Sequence, residues 1–244
     1  MYIQITTNCQ MACAHCMMNT SRHKKGHYMS REVFARAIDL SEQYSEMIVL
    51  GGGEPTLHKE FFDFLDYSLI RQINGSLENI LVITNGGFTK KTMKLLDKHD
   101  EVGMERLQVM LSQDAFHDQI DERIVSEFEM RGRNYLSTVE EENIILQGAA
   151  VENNLQSNNQ IKGCHCEEVF VTPEGDLKVC ACDDAEILGN IMTMTDEEYR
   201  AIKEAIWTIR DEEMEEPCHS LMNEEQRKTI RDAAKPLEIF RIAA

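Results

Sequence analysis

Residues 2–16 read YIQITTNCQMACAHC, an apolar segment followed after two residues by three closely spaced cysteines. The β-branched residues of Tyr2–Thr6 predict a strand, so Cys9, Cys13 and Cys16 lie on the loop after it. Clustered thiols of this kind suit iron or zinc. A structural zinc ion normally takes four ligands, whereas three thiolates leave one iron of a cubane iron–sulfur cluster open.

Short apolar runs and longer amphipathic stretches alternate through the first 150 residues, which predicts an α/β fold with a parallel sheet. The predicted strands are Tyr2–Thr6, Glu46–Leu50, Ile80–Thr84, Arg106–Leu111 and Asn143–Leu146. Ser30 is the predicted cap of the first helix, and the next two helices begin near Lys59 and Lys90. Ile70 belongs to the apolar face predicted for the second helix.

The last third of the chain has a different pattern. Residues 153–159 are rich in Asn and Gln and predict a linker, which divides the chain into units at 1–152 and 160–244. A hairpin is predicted from two apolar segments, 169–173 and 177–179, on either side of a turn at Glu174–Asp176. A helix is predicted over residues 196–213.

Composition and charge limit the function. The chain has 244 residues, 42% of them hydrophobic, and a formal net charge of −18. Such a chain can bury a core, while its acidity disfavours nucleic acid and anionic lipid as partners. No apolar run approaches the roughly 20 residues that cross a bilayer, and the N-terminus lacks the features of a signal peptide. We therefore expect a cytoplasmic protein, in which clustered cysteines indicate metal binding or catalysis before disulfides.

Four motifs together resemble the radical S-adenosylmethionine (radical SAM) superfamily, whose mark is Cys-x3-Cys-x-aromatic-Cys after the first barrel strand. Here the first motif is Cys9–Cys16, with His15 in the usual aromatic position. Gly52-Gly53-Glu54-Pro55, Thr84-Asn85-Gly86 and Leu111-Ser112-Gln113-Asp114 follow the next three predicted strands in the expected order. The chain is identified on these motifs as a member of the superfamily.

The resemblance implies a partial (β/α)6 TIM-like barrel with a [4Fe–4S] cluster on Cys9, Cys13 and Cys16 and S-adenosylmethionine (SAM) beside it. The residues it implies in cofactor binding are His15, Gly52, Gly53, Glu54, Pro55, Asn85, Ser112 and Asp114. Glu54 would receive the ammonium group of SAM. The competing interpretations are a plain surface turn for the glycines and ordinary loop hydrogen bonds for the polar residues. Asp114, His117 and Asp118 are also candidate acids or bases, although acids are common where helices begin.

A second cysteine group lies in the last third of the chain. It consists of Cys164, Cys166, Cys180, Cys182 and Cys218. The spacing of Cys164, Gly175 and Cys180 partly resembles the SPASM and Twitch extensions of radical SAM enzymes, which bind auxiliary [4Fe–4S] clusters. One auxiliary cluster is therefore expected, and a zinc site on the same cysteines is the main alternative.

The expected function is SAM-dependent radical chemistry that begins with abstraction of a hydrogen atom. The resemblance implies a peptide or protein side chain as substrate, with a small metabolite or nucleotide as the alternative, and a reducing partner such as flavodoxin or ferredoxin. A non-catalytic iron–sulfur carrier and a zinc-stabilised binding module are the competing classes. A ferredoxin, however, supplies a fourth cysteine for each cluster and has no need of the Gly52–Pro55 motif.

Overall fold

The computed structural model describes residues 1–44, 47–74, 77–131, 136–137, 144–156, 169–212 and 222–235. The strands in these ranges are β1 (Tyr2–Thr6), β2 (Ile48–Gly52), β3 (Ile80–Thr84), β4 (Leu107–Ser112), β5 (Leu136–Ser137), β6 (Phe170–Val171), β7 (Asp176–Lys178) and β8 (Ile187–Asn190). The helices are α1 (Arg31–Glu42), α2 (Phe61–Asn74), α3 (Thr89–Val102), α4 (Glu122–Met130), α5 (Ala149–Glu152), α6 (Asp196–Glu212) and α7 (Glu224–Ala233), with a 3₁₀ turn at Pro55–Leu57.

The described strands form one sheet in the order β5-β4-β3-β2-β1-β6-β7-β8. Neighbours from β5 to β6 pair in parallel, and β7 pairs antiparallel with both β6 and β8. Because β5 and β8 stand at opposite ends of this order, the sheet made by the described strands is open. The predicted α/β class is confirmed, and the loops that follow the parallel strands meet at one edge of the sheet.

Four of the five predicted strands are present. β1 and β3 have the predicted limits, and β4 is displaced by one residue. β2 extends to Gly52, because Gly51 pairs with Gln4 and Gly52 with Thr6 of β1. Residue 46, the predicted start of that strand, lies outside the described residues. The turn predicted to begin at Gly51 therefore begins later, because Gly51 and Gly52 belong to β2.

The fifth predicted strand, Asn143–Leu146, is wrong in its described part. Residues 144–146 form no strand, and β5 lies earlier in the chain, while Asn143 is outside the described residues. The apolar run enters a turn instead, in which the amide of Gln147 donates to the carbonyl of Ile145 (2.8 Å). The amide of Ala149 then donates to the carbonyl of Cys16 (2.9 Å), so this segment is bound to the loop after β1.

The helices follow the predicted amphipathic pattern, with one error. Ser30 caps α1 as predicted, since its hydroxyl accepts from the amide of Val33 (3.3 Å). Helix α2 buries residues 61, 64, 65, 68 and 69, whereas Ile70 is 56% exposed. Ile70 is nine residues after Phe61, which places it half a turn away from the buried face.

The C-terminal hairpin extends the same sheet. The predicted hairpin is confirmed as β6 and β7, and β6 pairs with β1 through Tyr2 opposite Phe170 and Ile3 opposite Val171. The rings of Tyr2 and Phe170 stack with their centroids 5.1 Å apart. The predicted helix at 196–213 is confirmed as α6, and of the predicted linker only residues 153–156 are described.

Apolar side chains from both parts of the chain meet in one core. Phe34 of α1 and Phe64 of α2 stack there with a centroid distance of 4.1 Å, and Tyr199 of α6 is fully buried. Among the described residues we find no helix whose length and apolar character would let it cross a bilayer.

Candidate active site at the carboxyl ends of the strands

The three N-terminal cysteines lie on one folded loop after β1, residues 7–20, here called the cysteine loop. The amide of Cys16 donates to the carbonyl of Cys13 (3.2 Å), which closes a turn between them. The Cys9 sulfur accepts from the amide of Met11 (3.4 Å), and the Cys16 sulfur lies 3.5 Å from the hydroxyl of Thr20. Backbone and side-chain contacts therefore fix the loop that carries all three thiols.

The electrostatics of these thiols suit a bound metal centre. Burial raises the pKa of the Cys9 thiol to about 11 and that of Cys13 to about 12, and the neighbouring cysteines add to both shifts. Three half-buried sulfurs this close together cannot all ionise without a compensating positive charge. Iron supplies that charge and prefers thiolate ligands, so the donor set of Cys9, Cys13 and Cys16 fits an iron–sulfur cluster.

The glycine-rich loop after β2 is held directly against the cysteine loop. The amide of Gly53 donates to the carbonyl of Thr6 and that of Glu54 to the carbonyl of Asn8, both at 2.8 Å. A Cβ atom on Gly53 would collide with the Asn8 carbonyl group, 2.7 Å from its carbon, and would lie 3.0 Å from Cβ of Cys9. Only glycine permits this approach, which brings backbone of the second motif beside the first cysteine.

Glu54 is fully buried, and donors of the protein surround its carboxylate. Oε1 accepts from the hydroxyls of Thr56 (2.5 Å) and Thr84 (2.9 Å) and from the Thr56 amide (3.1 Å). Oε2 accepts from the amide of Asn85 (2.8 Å). Burial raises the pKa of this carboxyl, and the hydrogen bonds oppose the shift. Glu54 thus joins the loops after β2 and β3, and Pro55 begins the 3₁₀ turn behind it.

Asn85 links the loop after β3 to the first cysteine. Its Nδ2 donates to the sulfur of Cys9 (3.5 Å), and its Oδ1 accepts from Nε2 of Gln10 (2.6 Å) and from the amide of Gly87 (3.0 Å). The sequence predicts Asn85 as a site residue but gives no reason to select Gln10. Gln10 occupies a position inside the cysteine motif where the spacing sets no requirement, so only the structure identifies it.

The loop after β4 brings an acid and two imidazoles together. Ser112 ends β4, and Asp114 follows with its side chain only 3% exposed. The Asp114 Oδ1 atom lies 2.8 Å from Nδ1 of His117, and its Oδ2 atom lies 3.4 Å from Nε2 of His15. Burial lowers the pKa of His15, and the nearby Asp114 opposes this. Three residues singled out from the sequence are therefore brought together, since Asp114 contacts both His15 and His117.

The described members of the second cysteine group lie next to the cysteine loop. Cys180 and Cys182 follow β7 and are buried. The amide of Asp183 donates to the carbonyl of Met17 (3.1 Å), and the Nζ atom of Lys178 donates to the carbonyl of Cys182 (2.7 Å). The remaining predicted ligands, Cys164, Cys166 and Cys218, lie outside the described residues.

Comparisons with known proteins find a matching family and similar proteins. The sequence model of the Radical SAM superfamily matches residues 3–135. Mycofactocin maturase MftC of Mycobacterium ulcerans (strain Agy99) is 26% identical over 70 residues, which are 29% of this chain and 19% of the maturase. The same protein of Mycobacterium tuberculosis (strain CDC 1551 / Oshkosh) is also 26% identical over 70 residues, 18% of its length. The matched part therefore spans about a fifth of the length of these relatives.

A solved structure shares the fold. The crystal structure of BtrN in complex with AdoMet and 2-DOIA superposes with a TM-score of 0.55 and 16% sequence identity, over 78% of this chain and 77% of that one. This likeness extends beyond residues 3–135 and includes part of the C-terminal region.

Proposed function

Since this chain belongs to the radical SAM superfamily, we propose that it is an enzyme that cleaves SAM reductively and uses the resulting radical to abstract hydrogen from a peptide or protein substrate. The observation that carries the proposal is the packing of the Gly53–Glu54 backbone against the loop of Cys9, Cys13 and Cys16. A simple electron carrier has no use for this second loop.

The three cysteines would hold a [4Fe–4S] cluster through their sulfurs. When bound, such a cluster supplies the electron that cleaves SAM to a 5′-deoxyadenosyl radical. The chain itself would orient the co-substrate: the backbone of Gly53 lies beside Cys9 and that of Gly52 against Thr6, and the methionine part of SAM would bind along these glycines. The loops after β1 to β4 meet at this edge of the sheet, and their closure around bound SAM would exclude water from the reaction.

The support for a direct contact with SAM differs among the polar residues of the site. Asn85 already contacts the Cys9 sulfur, and Ser112 ends the strand beside it, which supports both as contacts to the ribose or carboxylate. That Glu54 receives the ammonium group stays a prediction. Its internal hydrogen bonds support a second role, in which it holds the loops of Gly53 and Asn85 in register.

A peptide or protein substrate is supported by the relative called a maturase, since maturation acts on a precursor. The similarity covers 70 residues, so the substrate class is tested by the experiment below. A small metabolite or nucleotide is the alternative substrate. Flavodoxin or ferredoxin would supply the electron in either case.

We also propose an auxiliary [4Fe–4S] cluster in the region 160–244, beyond the barrel region 1–152. Cys180 and Cys182 are its described candidate ligands, and their burial beside the cysteine loop supports a metal site there. Cys164, Cys166 and Cys218 would complete the set. A zinc ion on the same cysteines is the alternative, and an iron count separates the two.

Anaerobic reconstitution with iron and sulfide, reduction with dithionite and mass spectrometry for 5′-deoxyadenosine test the proposal. The wild type should bind about eight iron atoms per chain, as two cubane clusters require, and should produce 5′-deoxyadenosine from SAM. Cys13→Ala should abolish the product. Cys180→Ala is the matched control: it should lose about half of the iron but still cleave SAM.

Retained 5′-deoxyadenosine formation in Cys13→Ala would refute the catalytic proposal. Zinc in place of half of the iron in the wild type would refute only the auxiliary cluster. Incubation with a precursor peptide, followed by mass analysis for a loss of hydrogen, tests the substrate class.

A further inference from the structure

His15, Asp114 and His117 form a compact group outside the cysteines. One ligand atom from each lies within 4.8 Å of the other two. His15 comes from the cysteine loop, while Asp114 and His117 come from the loop after β4. We propose that these three side chains bind a first-row divalent transition-metal ion, separate from the iron–sulfur centre of the neighbouring cysteines.

Several polar atoms in this group are buried with their hydrogen-bonding capacity unused. The side chains are 14%, 3% and 10% exposed for His15, Asp114 and His117. Oδ2 of Asp114 and Nδ1 of His15 are buried without a hydrogen-bond partner, and Nδ1 of His117 has only its 2.8 Å contact with Oδ1 of Asp114, which lacks hydrogen-bond geometry. A buried polar atom that lacks a partner costs about 1–3 kcal/mol, so the unpartnered Oδ2 of Asp114, beside two imidazoles, indicates a ligand that the protein itself does not supply. A bound cation would provide this ligand, because carboxylate oxygen and imidazole nitrogen are both electron-pair donors.

The spacing suits coordination by a small ion. Metal–ligand bonds of about 2.0–2.2 Å in a tetrahedral site place two ligand atoms about 3.4 Å apart. Nε2 of His15 lies 3.4 Å from Oδ2 of Asp114, at this distance and without hydrogen-bond geometry. The second oxygen, Oδ1, meanwhile accepts from the amide of Phe116 (2.8 Å), which leaves Oδ2 as the atom that faces the ion. Magnesium and calcium prefer all-oxygen ligands, so two imidazoles favour a transition metal such as zinc or iron.

Neighbouring side chains fix the position of the His15 imidazole. Phe116 and His117 pack on the His15 ring, with centroid distances of 5.0 Å and 5.3 Å, and hold the imidazole in place. Three protein ligands leave a coordination position open, as in catalytic zinc sites. The ion would therefore bridge the cysteine loop to the loop after β4, and its open position would accept water or an oxygen or nitrogen donor of the substrate.

Manganese binding to the full, reconstituted protein tests the proposal without any assay of SAM cleavage. The cluster is kept in its oxidised, diamagnetic state, Mn²⁺ is titrated, and free Mn²⁺ is measured by electron paramagnetic resonance. One Mn²⁺ should bind per chain, and Zn²⁺ should displace it, since zinc binds nitrogen and oxygen sites more tightly. His117→Ala and Asp114→Asn should each weaken binding more than about 10-fold, the lower end of the loss seen even for outer contacts of a metal site.

His23→Ala is the matched control, because His23 is exposed and lies outside the group. It should bind Mn²⁺ as the wild type does. Circular dichroism and iron content show whether each variant is folded and loaded. Absence of a stoichiometric Mn²⁺ site in the wild type, or equal binding in His117→Ala, overturns the proposal. If His117→Ala weakens SAM binding while the wild type binds no Mn²⁺, the three side chains serve SAM and not a metal.

Discussion

Gly53→Ala tests the contact on which the proposed site depends. The new methyl group would collide with the carbonyl group of Asn8 and approach Cβ of Cys9 to 3.0 Å. Carbon atoms normally pack at about 3.5–4.0 Å, so the two loops would have to separate by roughly 1 Å. The atoms that block the methyl group are mainly backbone, which cannot move aside as a side chain can.

The expected cost has two parts. Overpacking of a close contact costs about 1–3 kcal/mol. Separation of the loops also stretches the hydrogen bonds from Gly53 to Thr6 and from Glu54 to Asn8, each 2.8 Å long and each worth about 0.5–1.5 kcal/mol. Gly53→Ala should therefore lower the free energy of unfolding by about 2–6 kcal/mol, the sum of these ranges.

Urea unfolding followed by circular dichroism measures this change, and SAM binding to the reconstituted protein measures its effect on the site. Gly189→Ala is the matched control, because its new Cβ would meet only the terminal methyl of Met194, at 2.6 Å. That flexible group can move, so a loss below about 1 kcal/mol is expected. If the two variants are equally stable and bind SAM equally well, the inferred close approach of the loops is wrong.

Two further substitutions test neighbouring contacts. Glu54→Gln turns an amide toward the Asn85 N–H, which should lower the free energy of unfolding by about 1–3 kcal/mol. Because burial raises the pKa of Glu54, the wild type loses stability as pH rises above the ordinary pKa of 4.5, and the stability difference between wild type and variant should shrink. Urea unfolding at several pH values measures this difference, and a difference independent of pH would contradict the raised pKa. Gly148→Ala places a methyl group 2.6 Å from the carbonyl oxygens of Cys16 and Met17, at a residue with φ of +54°. It should lower the free energy of unfolding by at least about 1–2 kcal/mol and reduce the iron retained by the cysteine loop. Unchanged stability and iron content would show that the loop tolerates displacement.

The sequence predicts the elements that depend on local pattern. The strands at Tyr2–Thr6 and Ile80–Thr84 have their predicted limits, because β-branched residues between polar turns specify them locally. The motif residues end or follow their strands, since a parallel sheet brings the loops after its strands to one edge, although β2 continues to Gly52. The cap at Ser30 is equally local and is confirmed.

The errors arise where distant contacts decide the structure. Ile144 and Leu146 belong to an apolar run typical of a strand, but the chain there turns to bind the carbonyl of Cys16, a contact across more than a hundred residues. Gln10 is similar: its partner Asn85 is 75 residues away, so no local pattern reveals the pair. The convergence of His15 with Asp114 likewise depends on how two loops meet.

The hairpin that pairs with β1 has a consequence for synthesis of the protein. β1, which leads into the thiols, is flanked by β2 on one side and by β6 on the other, and β6 begins only at Phe170. On the ribosome, one side of β1 therefore stays an unpaired edge until the chain as far as β6 has emerged, and unpaired edges invite aggregation. The thiols of the cysteine loop are thus synthesised well before the strand that closes this edge of β1.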